Sequence, residues 1–419
     1  MNQSHYVDSL TNNIRRSARA LRALPSAKRD QVLSRVAQML RDETPAIIAA
    51  NLLDLTLAHE QSLPKAMIDR LTLNEKRIEE MAQAVDEIAA FPDPLNRVLE
   101  TRAMSNGAEL SRVSTPIGGV FFIYESRPNV TIDGAALCFK SGNAVILRGG
   151  KESAASSTIL ADLFRAAILE AEIDADAVQL VDTADREVVR LLLERNDAID
   201  LVIPRGGESL IRTVVSQSKI PVIKHYKGVC HIYVDQSADL AKAEAILINA
   251  KVQRPSACNA METLLLDAHL PESAQVHLLK ALRDKGVILH GCENTCRILP
   301  SVEPISDYDH FHTEYLDLQC SVRIVHNVKE ACDHIELYGS NHTEAVLAED
   351  KAVQDYFLAE VGSSSVMVNA STRLADGGVY GLGAEVGIST DKLHARGPMG
   401  VESLCTYKWI VRGKGQVRS

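Results

Sequence analysis

The fold class follows from one apolar run, Pro116-Ile117-Gly118-Gly119-Val120-Phe121-Phe122-Ile123-Tyr124. Residues 130–139 have helical character, and Ser141-Gly142-Asn143 ends that helix before a second apolar run, Ala144-Val145-Ile146-Leu147. A strand, a helix and another strand in this order are typical of a βαβ unit, whose two strands lie parallel in one sheet. The sequence therefore predicts a parallel sheet flanked by helices.

The same alternation continues along the chain. Strands are predicted near 178–181, 199–203 and 229–234, with helices over 153–170, 187–194 and 208–215. This pattern makes a doubly wound dinucleotide-binding domain, extending to about residue 250, the leading architecture. Alternation begins again at residue 263, which predicts a second α/β domain. Its strand candidates are 263–266, 287–289, 322–325, 345–347 and 365–368.

The two ends of the chain depart from this pattern. Helical periodicity extends over residues 8–90 and ends before Pro92. Residues 100–113 alternate loosely about the turn Ser105-Asn106-Gly107, which predicts a β-hairpin. Residues 404–411 are a further strand candidate, and we expect this strand to pair with the hairpin.

Composition argues against several classes of protein. The chain of 419 residues has a formal net charge of -10, which argues against nucleic acid or an anionic membrane as a partner. No apolar run approaches the roughly 20 residues that span a bilayer, and residues 1–10 lack the apolar core of a signal peptide. The 8 cysteines have no framework spacing, which suggests reduced thiols. We therefore expect a cytoplasmic globular protein.

One loop offers a nucleophile. It is Val252-Gln253-Arg254-Pro255-Ser256-Ala257-Cys258-Asn259-Ala260-Met261-Glu262, between a helix-like run and a strand-like run. Polar loops between such elements often present reactive side chains, and Cys258 would act there as a nucleophile that forms a covalent acyl intermediate. The alternative is a half-buried structural cysteine, because most cysteines behave as small hydrophobes. The loop alone leaves both interpretations open.

The nucleotide signal lies outside the familiar glycine motif. No G-x-G-x-x-G follows a strand and opens a helix, and the nearest match, 381–387, is interpreted as a loop. Instead, Arg148-Gly149-Gly150-Lys151-Glu152-Ser153 follows a strand, at the point where cations favour the 2′-phosphate of NADP. A charged surface turn is the alternative. Pro204-Arg205-Gly206-Gly207-Glu208, between a strand and a helix, is a second candidate phosphate site.

Other polar clusters give weaker signals. Residues 307–314 and the segment 290–296 contain many metal-ligand types without a recognised ligand spacing, so no metal site is predicted. Arginines in two polar loops are candidates for binding an acidic substrate, because a guanidinium suits carboxylate or phosphate. Ordinary ion pairing explains them equally well. The residues concerned are Asn369, Ser371 and Arg373 in one loop and Arg396 in the other.

Several motifs together resemble one family. They are Tyr124-Glu125-Ser126-Arg127-Pro128-Asn129-Val130, Ser141-Gly142-Asn143-Ala144 with Arg148-Gly149-Gly150, and Gln253-Arg254-Pro255 before Cys258. More specific are the segments 328–335 with 338–344, 373–378 with 381–385, and 394–400. Over nearly its whole length the chain resembles the glutamate-5-semialdehyde dehydrogenases, also called gamma-glutamyl phosphate reductases, of the aldehyde dehydrogenase superfamily.

The resemblance implies a reaction and its main residues. L-Glutamyl 5-phosphate would be reduced by NADPH to L-glutamate 5-semialdehyde, with release of phosphate, in proline biosynthesis. Cys258 aligns with the nucleophile of the superfamily, Glu314 with the acid that holds the nicotinamide ribose, and 204–208 with the cofactor-phosphate turn. Asn129 is expected to help stabilise the oxyanion, and Arg127 to contact the substrate.

One departure from the wider superfamily is informative. Hydrolytic aldehyde dehydrogenases have a water-activating Glu in a glycine-rich turn, and the matching segment, Lys224-His225-Tyr226-Lys227-Gly228, has none. This absence fits a reaction without a hydrolytic step. Lys224 or His225 is instead expected to supply the positive charge that lowers the pKa of the thiol.

The resemblance also implies an aldehyde dehydrogenase-like α/β fold with two doubly wound domains and a small β element. Residues 1–99 and 114–250 would bind NADP, and 251–390 would carry the nucleophile. Residues 100–113 and 391–419 would form an oligomerisation hairpin and tail. A homo-oligomer and a transient contact with the upstream glutamate kinase are further expectations. Two rivals stay open: an acyl-CoA-reducing aldehyde dehydrogenase, and a catalytically silent nucleotide-binding scaffold.

Overall fold

Two compact units make up the chain. The computed structural model describes residues 2–224, 226–382, 385 and 387–418. The first unit consists of 1–224, 381–387 and 399–419, and the second of 225–380 and 388–398. None of the described helices has the length and apolarity that crossing a bilayer requires.

Helices and strands alternate over most of both units, which confirms the predicted α/β class. The helices are α1 (Gln3–Leu21), α2 (Ser26–Asp42), α3 (Thr44–Glu60), α4 (Lys65–Leu71), α5 (Glu75–Ala90), α6 (Asn129–Lys140), α7 (Ala154–Glu170), α8 (Arg186–Leu193), α9 (Glu208–Gln217), α10 (Leu240–Val252), α11 (Glu272–Asp284), α12 (Glu293–Ile298), α13 (Val328–Tyr338) and α14 (Lys351–Glu360). The strands are β1 (Val98–Ala103), β2 (Glu109–Pro116), β3 (Gly119–Tyr124), β4 (Ala144–Arg148), β5 (Val178–Leu180), β6 (Leu201–Arg205), β7 (Cys230–Val234), β8 (Met261–Asp267), β9 (Ile288–Gly291), β10 (Glu303–Pro304), β11 (Gln319–Val325), β12 (Thr343–Leu347), β13 (Ser365–Val368), β14 (Gly387–Ser389), β15 (Gly397–Met399) and β16 (Cys405–Arg412).

The first unit is built on a four-stranded parallel sheet. Its strand order is β5-β4-β3-β6, so β3, the first of these four strands along the chain, lies inside the sheet and the chain crosses over on both sides of it. Every residue of β3 is buried, as a parallel strand covered on both faces requires. In such sheets ligands bind outside the carboxyl ends of the strands, at the point where the strand order reverses. Here those ends are at Tyr124, Arg148 and Arg205.

The second unit contains a seven-stranded parallel sheet. Its order is β10-β9-β11-β8-β7-β12-β13, and β8 and β7 lie near its centre. A buried core of aliphatic side chains, including Leu264, Leu278 and Val322, packs on it. This sheet places the end of α10, and therefore the Cys258 loop, directly before a central strand.

One assignment of the sequence analysis is wrong. The strand predicted at 229–234 was placed in the first α/β domain, with a boundary near residue 250, but β7 pairs with β8 and β12 in the second sheet. The units accordingly divide near residue 224, and residues 391–398 of the expected tail belong to the second unit. A fully buried strand suits the interior of either sheet, so its pattern alone does not identify its neighbours.

The predicted hairpin and C-terminal strand are confirmed. Strands β1 and β2 are antiparallel about the turn near Gly107, and β16 pairs antiparallel with β2 along its whole length. One face of β16 exposes Tyr407, Trp409 and Val411 to between 47% and 57%. The guanidinium of Arg112 lies over the Tyr407 ring, 5.0 Å from its centroid.

Candidate active site

The loop between α10 and β8 holds Cys258 in consecutive turns. The N–H of Ala257 donates to the Arg254 carbonyl (3.1 Å), and the N–H of Ala260 donates to the Ala257 carbonyl (2.9 Å). The buried Asn259 fixes the end of the loop by donating its side-chain amide to the Ala375 carbonyl (2.9 Å). Cys258 itself is half-buried. The structure therefore presents this thiol from a loop whose backbone is held on both sides.

A buried ion pair anchors the two ends of this loop. Lys251 Nζ, in the last turn of α10, lies 2.8 Å from Glu262 Oε2 in β8, and both side chains are 0% exposed. The other carboxylate oxygen of Glu262 accepts from the N–H of Leu316 (3.3 Å). Burial raises the pKa of Glu262 to about 7, an effect that the neighbouring Lys251 opposes. The pair thus ties the nucleophile loop to the segment that carries Glu314.

Gly228 packs directly against the nucleophile. A Cβ at this position would lie 1.8 Å from the Cys258 carbonyl oxygen, so only glycine allows this approach. The N–H of Gly228 donates to Glu314 Oε1 (2.7 Å), and the buried Cys230 thiol donates to the same Cys258 carbonyl (3.3 Å). Cys258 and Glu314, predicted to act together, are therefore brought to one turn of the second unit.

Two residues that precede Gly228 in the sequence, Lys224 and His225, are expected to activate the thiol. Lys224 is half-buried, and His225 lies outside the described residues. The ammonium of Lys227, which the sequence analysis did not single out, donates to the His312 carbonyl (2.6 Å).

Of the four predicted substrate residues in the two polar loops, Arg373 contacts residues of the nucleophile loop. Its Nε donates to Gln253 Oε1 (2.8 Å), and its Nη1 donates to Asn259 Oδ1. Burial lowers the pKa of Arg373, and the positive charge of Arg254 lowers it further.

The other three residues of these loops make structural contacts. The Asn369 amide bonds to the backbone of Ala348 through both its oxygen (3.0 Å) and its nitrogen (2.9 Å). The buried Ser371 caps a short 3-10 turn by accepting from the N–H of Arg373 (3.3 Å). Arg396 Nη2 donates to the Gly362 carbonyl.

In the first unit, the predicted NADP turn follows β4 directly. Arg148 is half-buried, and within the described part of the chain its Nε has no hydrogen-bond partner. Burial lowers the pKa of Arg148; Glu152 opposes this effect, and the charge of Arg186 reinforces it. Lys151 is exposed. Arg148 and Lys151 follow β4, and Arg186 follows the adjacent strand β5.

The remaining residues of this turn shape its backbone. A Cβ on Gly149 would lie 3.0 Å from the Tyr124 ring, so glycine permits the close packing seen here. Ser153 is buried, and its hydroxyl donates to the Gly150 carbonyl (3.1 Å), which closes the turn.

The second predicted phosphate turn already binds an anionic group. After β6, the N–H of Gly207 donates to a carboxylate oxygen of Glu125 (2.9 Å). A Cβ on Gly206 would lie 2.5 Å from the carboxyl carbon of Glu125, so a side chain at this position would displace that carboxylate. Glu208 begins α9 and binds Arg212 (Glu208 Oε1 to Arg212 Nε, 2.7 Å). An N–H group at a helix N-terminus that donates to a carboxylate has the chemistry to bind a phosphate.

The two residues expected to act from the Arg127-Pro128-Asn129 segment differ in exposure. Arg127 is exposed, and Asn129, at the start of α6, is half-buried. The Asn129 amide donates to Asp133 Oδ2 (2.9 Å). Burial raises the pKa of Asp133 to about 6, while the Asn129 bond and the charge of Arg205 oppose that rise.

Several histidines of the second unit contact aromatic rings, hydroxyl groups or another histidine. His310 Nε2 lies 2.6 Å from the Tyr315 hydroxyl, and the buried His342 contacts the Thr343 hydroxyl (2.8 Å). His334, from the specific segment 328–335, packs on the His231 ring at 5.3 Å, and burial lowers the pKa of His334 to about 2. This segment therefore builds a buried framework. Within the described residues, no group of three or more His, Cys, Asp or Glu side chains could hold a metal ion.

Comparisons with known proteins agree with this architecture. A model of the aldehyde dehydrogenase family matches residues 2–298. Gamma-glutamyl phosphate reductase of a Nitratiruptor species is 48% identical over 402 residues, which cover 96% of this chain and 97% of the relative. The chain belongs to the gamma-glutamyl phosphate reductases of the aldehyde dehydrogenase family.

Two further members of the family match along their whole length. Gamma-glutamyl phosphate reductase of Moorella thermoacetica is 47% identical over 418 residues, which cover 100% of both chains. The crystal structure of gamma-glutamyl phosphate reductase from Thermotoga maritima has a TM-score of 0.96 and 39% identity, covering 99% of this chain and 100% of that chain. The predicted aldehyde dehydrogenase-like fold is thereby confirmed.

Sequence reasoning missed four features of this family member. Three of them depend on segments far apart in the chain: the contacts of Gly228, the charge of Arg254 beside Arg373, and the Glu125 carboxylate on Gly207. The fourth, the Lys251–Glu262 pair, joins the two ends of one loop. Glu262 alone among them left a clear sequence signal. It stands next to the apolar run of a strand that is buried along its whole length, where an ionised side chain needs a buried partner.

Proposed function

We propose that this family member reduces L-glutamyl 5-phosphate to L-glutamate 5-semialdehyde with NADPH and releases phosphate, as a step of proline biosynthesis in the cytoplasm. The observation that carries the proposal is the match, over 96% of the chain or more, to proteins named gamma-glutamyl phosphate reductase. The loop that presents Cys258 supports it, because an acyl phosphate needs a nucleophile that accepts the acyl group.

The proposed chemistry begins with the Cys258 thiolate. It attacks the carbonyl carbon of the acyl phosphate, a C–S bond forms, and the C–O bond to phosphate breaks. Backbone amides of the Cys258 loop, together with the Asn129 amide, are the proposed donors to the oxyanion. When bound, the reduced nicotinamide supplies the hydride that converts the thioester to a thiohemiacetal. Collapse of the thiohemiacetal breaks the C–S bond, giving the aldehyde and restoring the thiolate.

The segment beside the nucleophile fits a reaction that has no hydrolytic step. Segment 224–228 contains no carboxylate. The carboxylate that does reach this turn, Glu314, is bonded to the Gly228 N–H. We assign Glu314 to the nicotinamide ribose, and no residue of the turn to water activation. Hydrolysis of the thioester would waste the activated acyl group, so this absence has a chemical reason.

For the cofactor, we propose NADP(H) bound by the first unit. Arg148 and Lys151 would hold the 2′-phosphate, with the backbone of Gly149 and Ser153 shaping the turn. The buried Nε of Arg148, which lacks a hydrogen-bond partner within the described chain, supports an anion at this point. Gly206, Gly207 and Glu208 would form the pyrophosphate turn, where a phosphate takes the place of the Glu125 carboxylate.

Further roles complete the proposal. The residues proposed to bind the substrate are Arg127, Asn369, Ser371, Arg373 and Arg396. The contacts of Arg373 with the nucleophile loop support this assignment most directly. The β1-β2-β16 sheet is the proposed oligomerisation element, because it exposes aromatic side chains. A transient contact with the kinase that supplies the labile acyl phosphate is proposed on chemical grounds alone.

The test runs the reaction backwards, where the substrate is stable. Wild type and Cys258→Ser are mixed with glutamate 5-semialdehyde, phosphate and NADP, and the absorbance of the reduced cofactor is followed. We expect phosphate-dependent reduction that the variant loses. Reduction that ignores phosphate and requires CoA would replace the proposal with an acyl-CoA-reducing enzyme, and no reduction with any acceptor would favour a silent scaffold.

The cofactor assignment has its own test. Arg148→Ser and Lys151→Ser each remove a cation from the proposed phosphate site, and loss of a hydrogen bond to a charged group costs about 1.5–3 kcal/mol. We therefore expect the KM for NADPH to rise by about tenfold or more for each variant, with little change in the KM for NADH. Lys285→Ser, at an exposed lysine of the second unit, is the matched control. Equal effects on both cofactors would contradict the assignment.

A further inference from the structure

Two arginines lie beside the loop that presents the nucleophile. Arg373 donates to Gln253 on one side of Cys258 (2.8 Å) and to Asn259 on the other. Its guanidinium therefore spans the turn from its first residues to its last. Arg254 belongs to the turn itself, because its carbonyl accepts from the N–H of Ala257 (3.1 Å), and its side chain is exposed.

The charges of this pair are poorly balanced within the protein. Burial and the positive charge of Arg254 both lower the pKa of Arg373, against the opposing charges of Asp376 and of the Cys258 thiolate. Asp376 uses one carboxylate oxygen to accept from two backbone N–H groups of its own turn, at 3.0 and 3.2 Å. A second positive charge beside the partly buried Arg373 guanidinium is unfavourable, and a bound anion would offset it. Such a cluster beside a reactive group is a candidate for ligand binding.

The proposed reaction creates an anion at this place. When the thiolate adds to the carbonyl carbon and the C–O bond breaks, the electron pair passes to the bridging oxygen, so the departing phosphate gains one negative charge before it takes a proton from water. Arginine binds phosphate oxygens through paired N–H donors, and charge-assisted hydrogen bonds of this kind are about twice as strong as neutral ones.

We propose that Arg254 and Arg373 bind the phosphoryl group of the substrate and stabilise the departing phosphate, an inference that rests on the proposed acyl-phosphate reduction. Arg373, held by Gln253 and Asn259, is the fixed member of the pair. Arg254, which is exposed, is the member that closes on the phosphate. The substrate's amino-acid end is then left to other residues.

Kinetics in the reverse direction separate the three substrates. Phosphate, glutamate 5-semialdehyde and NADP are each varied with the other two held saturating, for wild type, Arg254→Gln, Arg254→Lys and Arg373→Lys. We expect Arg254→Gln to raise the KM for phosphate about tenfold to a hundredfold, to leave the other two KM values unchanged, and to be partly rescued by lysine. Arg283→Gln, at an exposed arginine of the same unit, is the matched control.

A second measurement does not depend on turnover. Inorganic phosphate should slow the alkylation of Cys258 by iodoacetamide in wild type and in Arg283→Gln, and should lose this effect in Arg254→Gln. An increased KM for the aldehyde with an unchanged KM for phosphate would assign the arginines to the substrate carboxylate and overturn the inference. If wild type itself shows no phosphate-dependent reduction, the proposed function fails first. If wild type shows it and the variants keep the phosphate KM, only this inference fails.

Discussion

Replacing Gly228 with alanine tests how closely the neighbouring turn holds the nucleophile. The added Cβ would lie 1.8 Å from the Cys258 carbonyl oxygen and 3.0 Å from the Cys258 Cα. Ordinary van der Waals contact begins at 3.4 Å, so the two backbone segments must separate by about 1.6 Å, the difference between 3.4 and 1.8 Å. Gly228 does not have a positive φ, so the effect of the substitution is steric.

This displacement predicts a large loss of activity and a smaller loss of stability. A misplacement of about 1 Å at a reacting group costs on the order of a hundredfold in rate, so we expect kcat of Gly228→Ala to fall by about a hundredfold or more. Overpacking of a buried position costs about 1–3 kcal/mol, which a folded chain of this size withstands. The assay is the phosphate-dependent reduction of NADP, with circular dichroism and the alkylation rate of Cys258 measured on the same samples.

The matched control is Gly362→Ala. Gly362 lies in the same unit and is exposed, and a Cβ added to it would meet no heavy atom within 4 Å, so alanine should change neither kcat nor the melting temperature. If Gly228→Ala keeps the wild-type kcat and melting temperature, the carbonyl of Cys258 is free to move without consequence. The reasoning that links backbone contact to catalysis would then be refuted.

Three other variants test the remaining physical arguments. Glu262→Gln leaves the buried Lys251 charge without its partner and should destabilise the chain by about 3–5 kcal/mol in urea denaturation. Adding Lys251→Met should recover much of that loss. An unaltered urea midpoint for Glu262→Gln would contradict a stabilising role of the ion pair. Burial raises the pKa of Asp133 to about 6, so just below pH 6 the folded state keeps a proton that the unfolded chain has already lost. The stability that this proton contributes is lost as the pH rises through 6. Asp133→Asn should therefore flatten the melting-temperature profile between about pH 4 and pH 6 and raise the melting temperature at pH 7; an unchanged profile would contradict this. Trp409→Glu, on the exposed face of β16, should lower the oligomer mass in light scattering while the circular dichroism spectrum is retained; a retained mass would exclude this face.

The sequence predicted the positions of the strands better than the pairing between them. The apolar runs at β3 and β4 and the turn at Gly107 have local signatures, so these strands and the hairpin were identified correctly. Strand β7 was identified as a strand and placed in the wrong sheet, because its five buried residues fit a central position in either sheet. Periodicity records whether a side chain is buried, and it does not record the neighbouring strand.

The same limit applies to the site. Cys258 and Glu314 were predicted from motifs, whereas the contact of Gly228 with the Cys258 carbonyl joins positions separated by thirty residues of chain and a sheet crossover. The pairing of Arg373 with Gln253 and Asn259 spans more than a hundred residues. No local pattern contains such information, because a glycine or an arginine in a loop looks the same whether or not a distant segment packs on it.

The pairing of β16 with β2 has a consequence for how the chain is made. The second unit is complete at residue 398, but the first unit also needs residues 399–419, which are synthesised after it. Until then the β2 edge along 109–116 stays uncovered, and uncovered strand edges are templates for aggregation. The nascent first unit therefore has to wait for the second to be translated. Truncation before residue 405 leaves this edge uncovered for good and should therefore make the protein insoluble.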